Sequence, residues 1–438
     1  MPANEDLSHS PRRRYFDNAA TSFPKPPGVG EAMLRFMCEN GAPGRGAYSE
    51  ARAAARLIRR CRERIARLVN LSSPEHVVFG HNTSDGLNLA VKGVLGHARR
   101  TLGAGRPMHV VSTVMEHNSI IRPLSAMMAR DAGLSCTVVA ADERTGIVEP
   151  GAIRDAMRAE TVLVCVNHAS NVLGCVQDVE AIGEIVHAKR SAECRVPSAE
   201  ACSPLFLVDG AQSLGHVPVD MERARIDLLA FPGHKGLLGP TGTGGLCIRP
   251  GVEQRLETIR EGGTGSSSEE QTHPAMMPEK YEAGSHNTVG IAGLSEGVAW
   301  LLERGVEAVR EHEVQLMERM LAELAPDTDG RCRNAPGLRL LGTLEVSRRV
   351  GVFSFVHDEL SAQEMAGALE ASYGVLTRAG LHCAPLVHEM LGTSPSTGDP
   401  ARTGAVRLSL GPFLGVEDVD YACAALCAIC REARPVTA

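Results

Sequence analysis

The sequence predicts an α/β protein with a largely parallel sheet covered by helices on both faces, followed by a smaller α/β unit. Three observations predict it. Short apolar runs, each bounded by polar or Gly/Pro punctuation, alternate with helix-like segments from Val77 onward. Those runs are apolar at every position rather than at every second one, which marks strands buried on both faces. From Arg331 the order changes to strand, helix, strand, helix. The chain has 438 residues, enough for two or three domains, and 43% of them are hydrophobic, enough for a sizeable core.

The elements follow in order. The segment Met1 to Arg14 is polar and reads as a frayed tail without the apolar core of a signal peptide. Ala51 to Asn70 is an amphipathic helix: Leu57, Ile58, Cys61, Ile65, Leu68 and Val69 share one face and arginines fill the other. The strand Val77–Phe79 leads through Gly80 into a helix opening at Thr83-Ser84-Asp85-Gly86. Further strands are expected at His109–Ser112, Thr161–Val166, Leu205–Val208 and Ile226–Ala230. Lys189 to Pro204, with Cys194 and Cys202, reads as a polar surface insert, and the Gly/Ser/Glu-rich stretch Glu261–Glu270 closes the sheet region. One long helical segment is expected from Val289 to about Leu324. The smaller unit then runs through strand Gly351–Phe355, helix Ala362–Tyr373, strand Ala405–Leu410 and helix Val416–Ala433, with a flexible loop at Gly392–Gly404.

Composition narrows the function. A formal net charge of −7 argues against nucleic acid as a main partner, and 3% aromatic content argues against a base-stacking platform. No apolar run reaches the length of a bilayer span, so no membrane partner and a cytoplasmic location are expected. Thirteen irregularly spaced cysteines fit reduced thiols better than a disulfide framework.

The chemistry gathers at strand ends. Lys235 lies in Phe231-Pro-Gly-His-Lys-Gly-Leu-Leu-Gly-Pro240, after an apolar strand and between glycines. A desolvated amine there loses its proton readily and can form a Schiff base. Asp209 ends the strand Leu205-Phe-Leu-Val-Asp209, where a carboxylate can hold a pyridinium nitrogen protonated. Together these are the two protein groups that a pyridoxal phosphate (PLP) electron sink requires. Thr83 and Ser84 bring hydroxyls and free N–H groups to a helix start, a ready phosphate site. His117, in Met115-Glu-His-Asn-Ser119, can stack on a ring or relay a proton. Asn171 and Gln212 offer side-chain amides after other buried strands. Cys383 stands apart from the remaining cysteines: His382 adjoins it, Arg378 precedes it by five residues, and Gly380 and Pro385 suggest an exposed mobile loop. Nearby positive charge favours a thiolate. Two other features carry less. Gly239–Gly245 resembles a nucleotide-binding glycine loop but precedes a strand instead of opening a helix. Cys423, Cys427 and Cys430 share a helix face with Ala424, Ala425, Leu426 and Ile429 around them, which reads as core, and no metal site is expected.

Taken in order, these segments resemble the class V aminotransferase family of PLP enzymes and, within it, the cysteine desulfurases of the SufS-like, selenocysteine-lyase-like branch. The resemblance runs from Tyr15-Phe-Asp-Asn-Ala-Ala-Thr21 to about Pro412. Its most specific pieces are Val208-Asp-Gly-Ala-Gln212, Gly233-His-Lys235, Tyr281-Glu-Ala-Gly-Ser-His-Asn-Thr288 and Arg378-Ala-Gly-Leu-His-Cys383. It implies a PLP-dependent transferase of fold type I, a homodimer with its active site at the subunit boundary. The large domain would hold a mostly parallel, seven-stranded-type sheet between helices, beside a smaller α/β domain. The boundaries would be 1–22 for the tail and part of the small domain, 23–264 for the PLP-binding domain, and 265–438 for the linker helix and small domain.

The resemblance also implies roles. Lys235 would carry the cofactor as a Schiff base, Asp209 would pair with the pyridinium nitrogen, Gln212 with the phenolic oxygen, and His117 would stack on the ring. Thr83, Ser84 and His234 would bind the phosphate, and Thr288 would reach the neighbouring subunit's phosphate. Asn171, Arg378 and Arg407 would hold the substrate, and Cys383 would accept its sulfur as a persulfide. The implied reaction converts L-cysteine to L-alanine and passes the sulfur to an acceptor protein. Alternatives are selenocysteine lyase acting on L-selenocysteine, another class V reaction such as transamination or epimerisation, or an inactive sulfur-carrier scaffold. Two positions depart from the family. Pro232 stands where a Ser or Thr usually supplies a phosphate hydroxyl, and the segment from Cys383 to Arg407 is longer than in the branch it resembles, an insert suited to a dedicated acceptor.

Overall fold

The computed structural model describes residues 12–43, 46–193, 203–266, 269–396 and 403–433. In chain order the elements are β1 (Arg14–Tyr15), α1 (Val29–Glu39), α2 (Ser49–Leu68), β2 (Val77–Gly80), α3 (Thr83–Leu102), β3 (Met108–Thr113), α4 (Asn118–Met128), β4 (Leu134–Val139), α5 (Pro150–Ala156) and β5 (Thr161–Asn167). They continue with α6 (Val179–Glu193), β6 (Leu205–Asp209), β7 (Leu228–Pro232), β8 (Gly244–Ile248), α7 (Thr288–Arg304), α8 (Val306–Leu324), β9 (Leu338–Leu340), β10 (Val352–His357) and α9 (Ala362–Tyr373). The last are β11 (Val375–Leu376), β12 (Arg378–Gly380), α10 (Pro385–Met390), β13 (Ala405–Ser409) and α11 (Val416–Glu432).

The central sheet has the order β2-β8-β7-β6-β5-β3-β4. The pairs from β7 through β6, β5 and β3 to β4 are parallel, and β8 and β2 join antiparallel at the other end. Alternate residues of the inner strands feed two separate cores. Val164, Val166, Phe206, Val208, Leu229 and Phe231 pack with Ile65 of α2 and Leu294 of α7. Leu163, Cys165, Leu205, Leu207, Leu228 and Ala230 pack with Leu87 of α3 and Leu124 of α4. This two-sided burial is why the strands read as unbroken apolar runs.

A second sheet, of order β12-β13-β10-β9, carries a third core with α8, α9 and α11. Phe16 belongs to that core, and β1 pairs in parallel with β11, so the first strand is stitched into the unit of the second sheet. Cys423, Cys427 and Cys430 line the same core, as the helix-face reading expected.

Several expectations need correction. The long helix is two helices: Gly305, at φ 83°, ends α7 and α8 restarts at Val306. A positive φ is cheap only for glycine, so the break is written at that residue. The strand expected at Ile226–Ala230 is shifted to Leu228–Pro232. Pro232 therefore pairs opposite Gly244 at the end of β7, adjoining the lysine loop. The edge strand β4 escaped notice because only its two ends, Leu134 and Val139, are buried, and the four residues between them are half-buried or exposed. The insert cysteines Cys194 and Cys202, most of the tail and positions 397–402 lie outside the described residues.

Candidate active site at the strand ends

In an open α/β sheet the crevice lies outside the carboxyl ends of the parallel strands. Here β3 ends just before His117, β5 ends at Asn167 with Asn171 beyond it, β6 ends at Asp209, and β7 ends three residues before Lys235. One architectural rule thus brings together side chains spread over more than a hundred residues.

The lysine loop is tightly fixed. Gly233 N–H donates to Thr243 O (2.8 Å), Gly239 N–H to Gly233 O (2.7 Å) and Leu238 N–H to Lys235 O (2.8 Å). The turn that follows β6 crosses it closely at Gly215, where φ is +84° and an added Cβ would sit 2.2 Å from Gly236 O. The His234 carbonyl receives Ser22 N–H (3.0 Å), the Thr21 hydroxyl (3.0 Å), the Ser22 hydroxyl (3.2 Å) and the Lys25 amine (3.0 Å). The N-terminal segment thereby clamps the loop from outside the sheet.

Lys235 is half-buried, and desolvation lowers its amine to about 8 from 10.5. Asp209 opposes that shift, while Arg407 and Arg378 reinforce it; Cys383 also acts on the amine. Groups from both sheets therefore meet around one nitrogen. Asp209 is buried on β6, and burial raises its carboxyl, opposed by the Ala211 N–H at 2.9 Å and by Lys235. Imine formation needs the free amine. When PLP is added to the cofactor-free protein, the rate of absorbance growth should climb with pH through about 8 rather than near 10.5. A midpoint at the ordinary lysine value would show a solvated amine and would defeat the desolvation argument.

His117 is the N-cap of α4. Its Nδ1 accepts the Ser119 N–H at 3.1 Å, so in the neutral ring the proton sits on Nε2. Desolvation, then Lys235, Arg378 and Arg122, lower it to about 4, which keeps the ring uncharged at neutral pH. The Ser119 hydroxyl also lies 2.9 Å from Nδ1 and 2.6 Å from the Ser84 hydroxyl, linking the start of α3 to the imidazole. Thr83 and Ser84 open α3 behind the N-cap Asn82, whose side chain accepts Asp85 N–H. That leaves the first N–H groups of the helix without intrahelical acceptors. His234 has a buried Nδ1 with no partner, and desolvation, Lys235 and Lys25 hold its ring neutral at about 4. Gln212 is buried, its Nε2 donating to Ala19 O at 2.9 Å.

The second sheet supplies the opposite wall. Arg378 and Arg407 are directly paired across β12 and β13. Two guanidinium groups on one such pair repel each other and make a site for an anion. Arg407 is buried; it donates to Asn171 O (3.1 Å) and Asp17 Oδ1 (2.9 Å), and its Nε has no partner. Burial lowers Arg407, and Asp17 opposes that shift. Asn171 donates to His382 O, and its own Oδ1 is buried without a partner.

Cys383 is exposed. Its carbonyl accepts Asn118 N–H at 2.9 Å, and Arg378 Nη2 lies 3.8 Å from its sulfur. His382 and Cys383 both take positive φ, 49° and 62°, a costly conformation for non-glycine residues that turns the thiol outward. The His382 ring is buried, donates Nε2–H to Ala405 O (3.0 Å), and desolvation drives it to about 2. The segment that follows is tied by Gly404 N–H to Thr393 O (2.8 Å) and by His388 Nδ1 to the Thr393 hydroxyl (2.8 Å).

Thr288 is not brought to this group. It opens α7 beside Asn287, whose amide donates to Gly242 O, and among the described residues no hydrogen bond joins its hydroxyl to the cleft. Four participants were missed from sequence: Asp17, which holds Arg407; Ser119, which bridges Ser84 and His117; Asn118, which holds the Cys383 carbonyl; and Lys25. Ser119 follows His117 by two at a helix start, a capping spacing that could have pointed to it.

The donor set fits PLP. There is an anion cradle at a helix start, an amine lowered by burial, a buried carboxyl beside it, a neutral ring and a free amide. His234 Nδ1 and Asn171 Oδ1 are buried polar atoms awaiting partners. Among the described residues no cluster of His, Cys, Asp or Glu could hold a metal ion, and no helix is long and apolar enough to cross a membrane.

Comparison with known proteins identifies the family. The family description Aminotransferase class-V matches residues 14–422. A probable cysteine desulfurase of Methanothermobacter thermautotrophicus is 35% identical over 373 residues, 84% of each chain. A cysteine desulfurase of Yersinia pestis is 31% identical over 374 residues, again 84% of each. The structure is similar to that of an apo cysteine desulfurase from Thermococcus onnurineus, with a TM-score of 0.81 and 28% identity over 99% of each chain. With strand-end lysine, buried aspartate and matching profile together, the chain belongs to the class V aminotransferase family.

Proposed function

We propose that this protein is a PLP-dependent cysteine desulfurase that converts L-cysteine to L-alanine and leaves the sulfur as a persulfide on Cys383. The observation that carries the reading is the placement of an exposed cysteine, 3.8 Å from Arg378, on a loop whose main chain is held by Asn171 and Asn118 above the Lys235 cleft. Its relatives of 30–35% identity bear the same activity in their names.

PLP, when bound, supplies the electron sink that stabilises negative charge at the substrate's Cα. The chain's own residues do the rest. Arg407 and Arg378 hold the substrate carboxylate, with Asn171 beside them, and fix the distance from Cα to the lysine. Lys235, whose amine is lowered to about 8, accepts the Cα proton near neutral pH. His117 covers the ring as an uncharged imidazole. Asp209 holds the ring nitrogen's proton, and Thr83, Ser84 and His234 hold the phosphate, with Pro232 contributing no hydroxyl. The Cys383 sulfur, as thiolate, attacks the substrate sulfur. A sulfur–sulfur bond forms and the Cβ–S bond breaks. Its electron pair stays with the carbon, which takes a proton to become the methyl group of alanine.

In this reading residues 23–264 bind the cofactor, and residues 265–438 with the first 22 build the second wall. Thr288 acts across a homodimer, and the segment after Cys383 receives a sulfur-acceptor protein. The test is direct. After incubation with L-cysteine and alkylation, mass spectrometry should find one added sulfur on the peptide carrying Cys383, together with alanine in solution. Alanine without sulfur on that peptide would overturn the assignment of Cys383.

A further inference from the structure

Glu116 is a buried carboxyl that the proposed reaction leaves unused. It is completely buried between β3 and α4, next to His117. Its Oε1 accepts the Thr113 hydroxyl at 2.8 Å and the Asn167 N–H at 2.9 Å. Its Oε2 is buried and has no partner. Among the described residues no lysine, arginine or histidine pairs with it. The groups that face it come from three strands: Asp209 on β6, Cys165 on β5 and Cys136 on β4. Burial pushes Cys136 up to about 11 and Cys165 well above its ordinary value, so both thiols are neutral at neutral pH. Asp209 is the one charge acting on Glu116 from these strands, and it is a like charge.

An ionised carboxylate here would leave a charged oxygen buried, unsolvated and beside a second carboxyl. A neutral acid has a proton to place on Oε2. Asn167 Oδ1 is a second buried oxygen without a partner, on the residue whose backbone N–H donates to Glu116 Oε1. A proton on Oε2 removes the buried charge and turns that oxygen into a donor.

We propose that Glu116 is a protonated carboxylic acid that positions the floor of the site, its proton on Oε2, leaving Asp209 as the one carboxylate presented to the cofactor ring. Two carboxyls with opposite environments thus take opposite roles. Asp209 has the Lys235 amine and the Ala211 N–H to support a charge, and Glu116 has no cation. The assignment of Asp209 rests on the proposed function; the proton on Glu116 does not.

Burial raises the Glu116 acid to about 8 from 4.5, and that gives the test its sign. Within that window the unfolded chain releases a proton that the folded chain keeps. The stability contributed by the proton is complete below 4.5 and is lost as pH rises toward about 8. Glu116→Gln has no proton to release. Denaturant unfolding of the two holoproteins over this range should show the wild-type folding equilibrium weakening about tenfold per pH unit relative to the variant. A wild-type-to-variant difference that does not change with pH overturns the proposal.

Should Glu116→Gln fail to fold, infrared spectra of wild-type protein carrying carbon-13 glutamate give the same answer. A labelled, deuterium-sensitive protonated-carboxyl band at neutral pH is expected, and its absence overturns the proposal. In Asp209→Asn that band should titrate at lower pH, because the like charge is gone. An unmoved titration would remove the positioning role. None of these measurements reads turnover, so their failure leaves the desulfurase reading intact, and failure to find sulfur on Cys383 leaves the proton on Glu116 untouched.

Discussion

Lys235→Ala should yield a folded protein that neither retains PLP after borohydride treatment nor turns over L-cysteine. The loss of turnover should be roughly a thousandfold or more, because the proposed function makes the side chain both the covalent anchor and the base at Cα. Folding should survive. The loop that carries Lys235 is held by backbone bonds from Thr243, Gly233 and the N-terminal clamp on His234 O, none of which uses the lysine side chain. The amine is also desolvated, so removing it relieves a burial cost at the same time as it removes packing. The informative comparison is with Lys25, whose amine burial likewise lowers to about 8. Lys25 is engaged: it donates to the Ser22 hydroxyl (2.7 Å) and to His234 O (3.0 Å), on the outer side of the loop. Borohydride trapping followed by peptide mapping should therefore label Lys235 in the wild type and no lysine in the variant. A label that moves to Lys25, or turnover that persists, would show that the anchor had been misplaced.

The parts of this site that a sequence can reveal are those written locally. Strand ends are legible because β5, β6 and β7 are buried on both faces and read as apolar runs that stop at Asn167, Asp209 and Pro232. Lys235 and Asp209 follow from those stops, and the amphipathic α2 from its arginine face. What escaped was written nonlocally. Asp17 meets Arg407 across 390 positions, and Asn171 meets His382 across 211, so no spacing announces either pair. The direct pairing of Arg378 with Arg407 is a matter of strand register in a sheet assembled from four separate strands. Glu116 looked like a neighbour of His117 and nothing more, since its character comes from burial and from Asp209 two strands away. Pro232 read as a lost phosphate hydroxyl; in the fold it is also the last residue of β7, placed where it pairs with Gly244. β4 was missed for the opposite reason: as an edge strand it buries only Leu134 and Val139, and Ser135 and Thr137 interrupt any apolar run. The single long helix failed at one residue, Gly305, where a positive φ is an ordinary glycine conformation and a helix end.

Cys383→Ser should separate the two readings of the chemistry that share this scaffold. The substitution is structurally mild, because the side chain is exposed and the residue's main chain is held through its carbonyl by Asn118 N–H, so stability should change by no more than about 0.5 kcal/mol. Binding should also survive: Arg407, Asn171 and Arg378, proposed to hold the substrate carboxylate, are unaltered, and KM for L-cysteine should move little. The loss should fall on kcat. A serine hydroxyl is not ionised near neutral pH and cannot hold a stable persulfide, so alanine formation from L-cysteine should drop on the order of a thousandfold or more, the scale at which loss of a nucleophile is felt. L-Selenocysteine makes the opposite demand. Its carbon–selenium bond is weaker and selenide leaves more readily, so abstraction of the Cα proton by Lys235 can suffice without an attacking thiolate. The variant should therefore retain selenocysteine turnover while losing cysteine turnover. Equal loss on both substrates would place the cysteine in the shared early steps, beside Lys235, instead of at sulfur. Undiminished cysteine turnover would mean that the thiol 3.8 Å from Arg378 is a bystander, and the assignment of this protein as a desulfurase acting through Cys383 would fall.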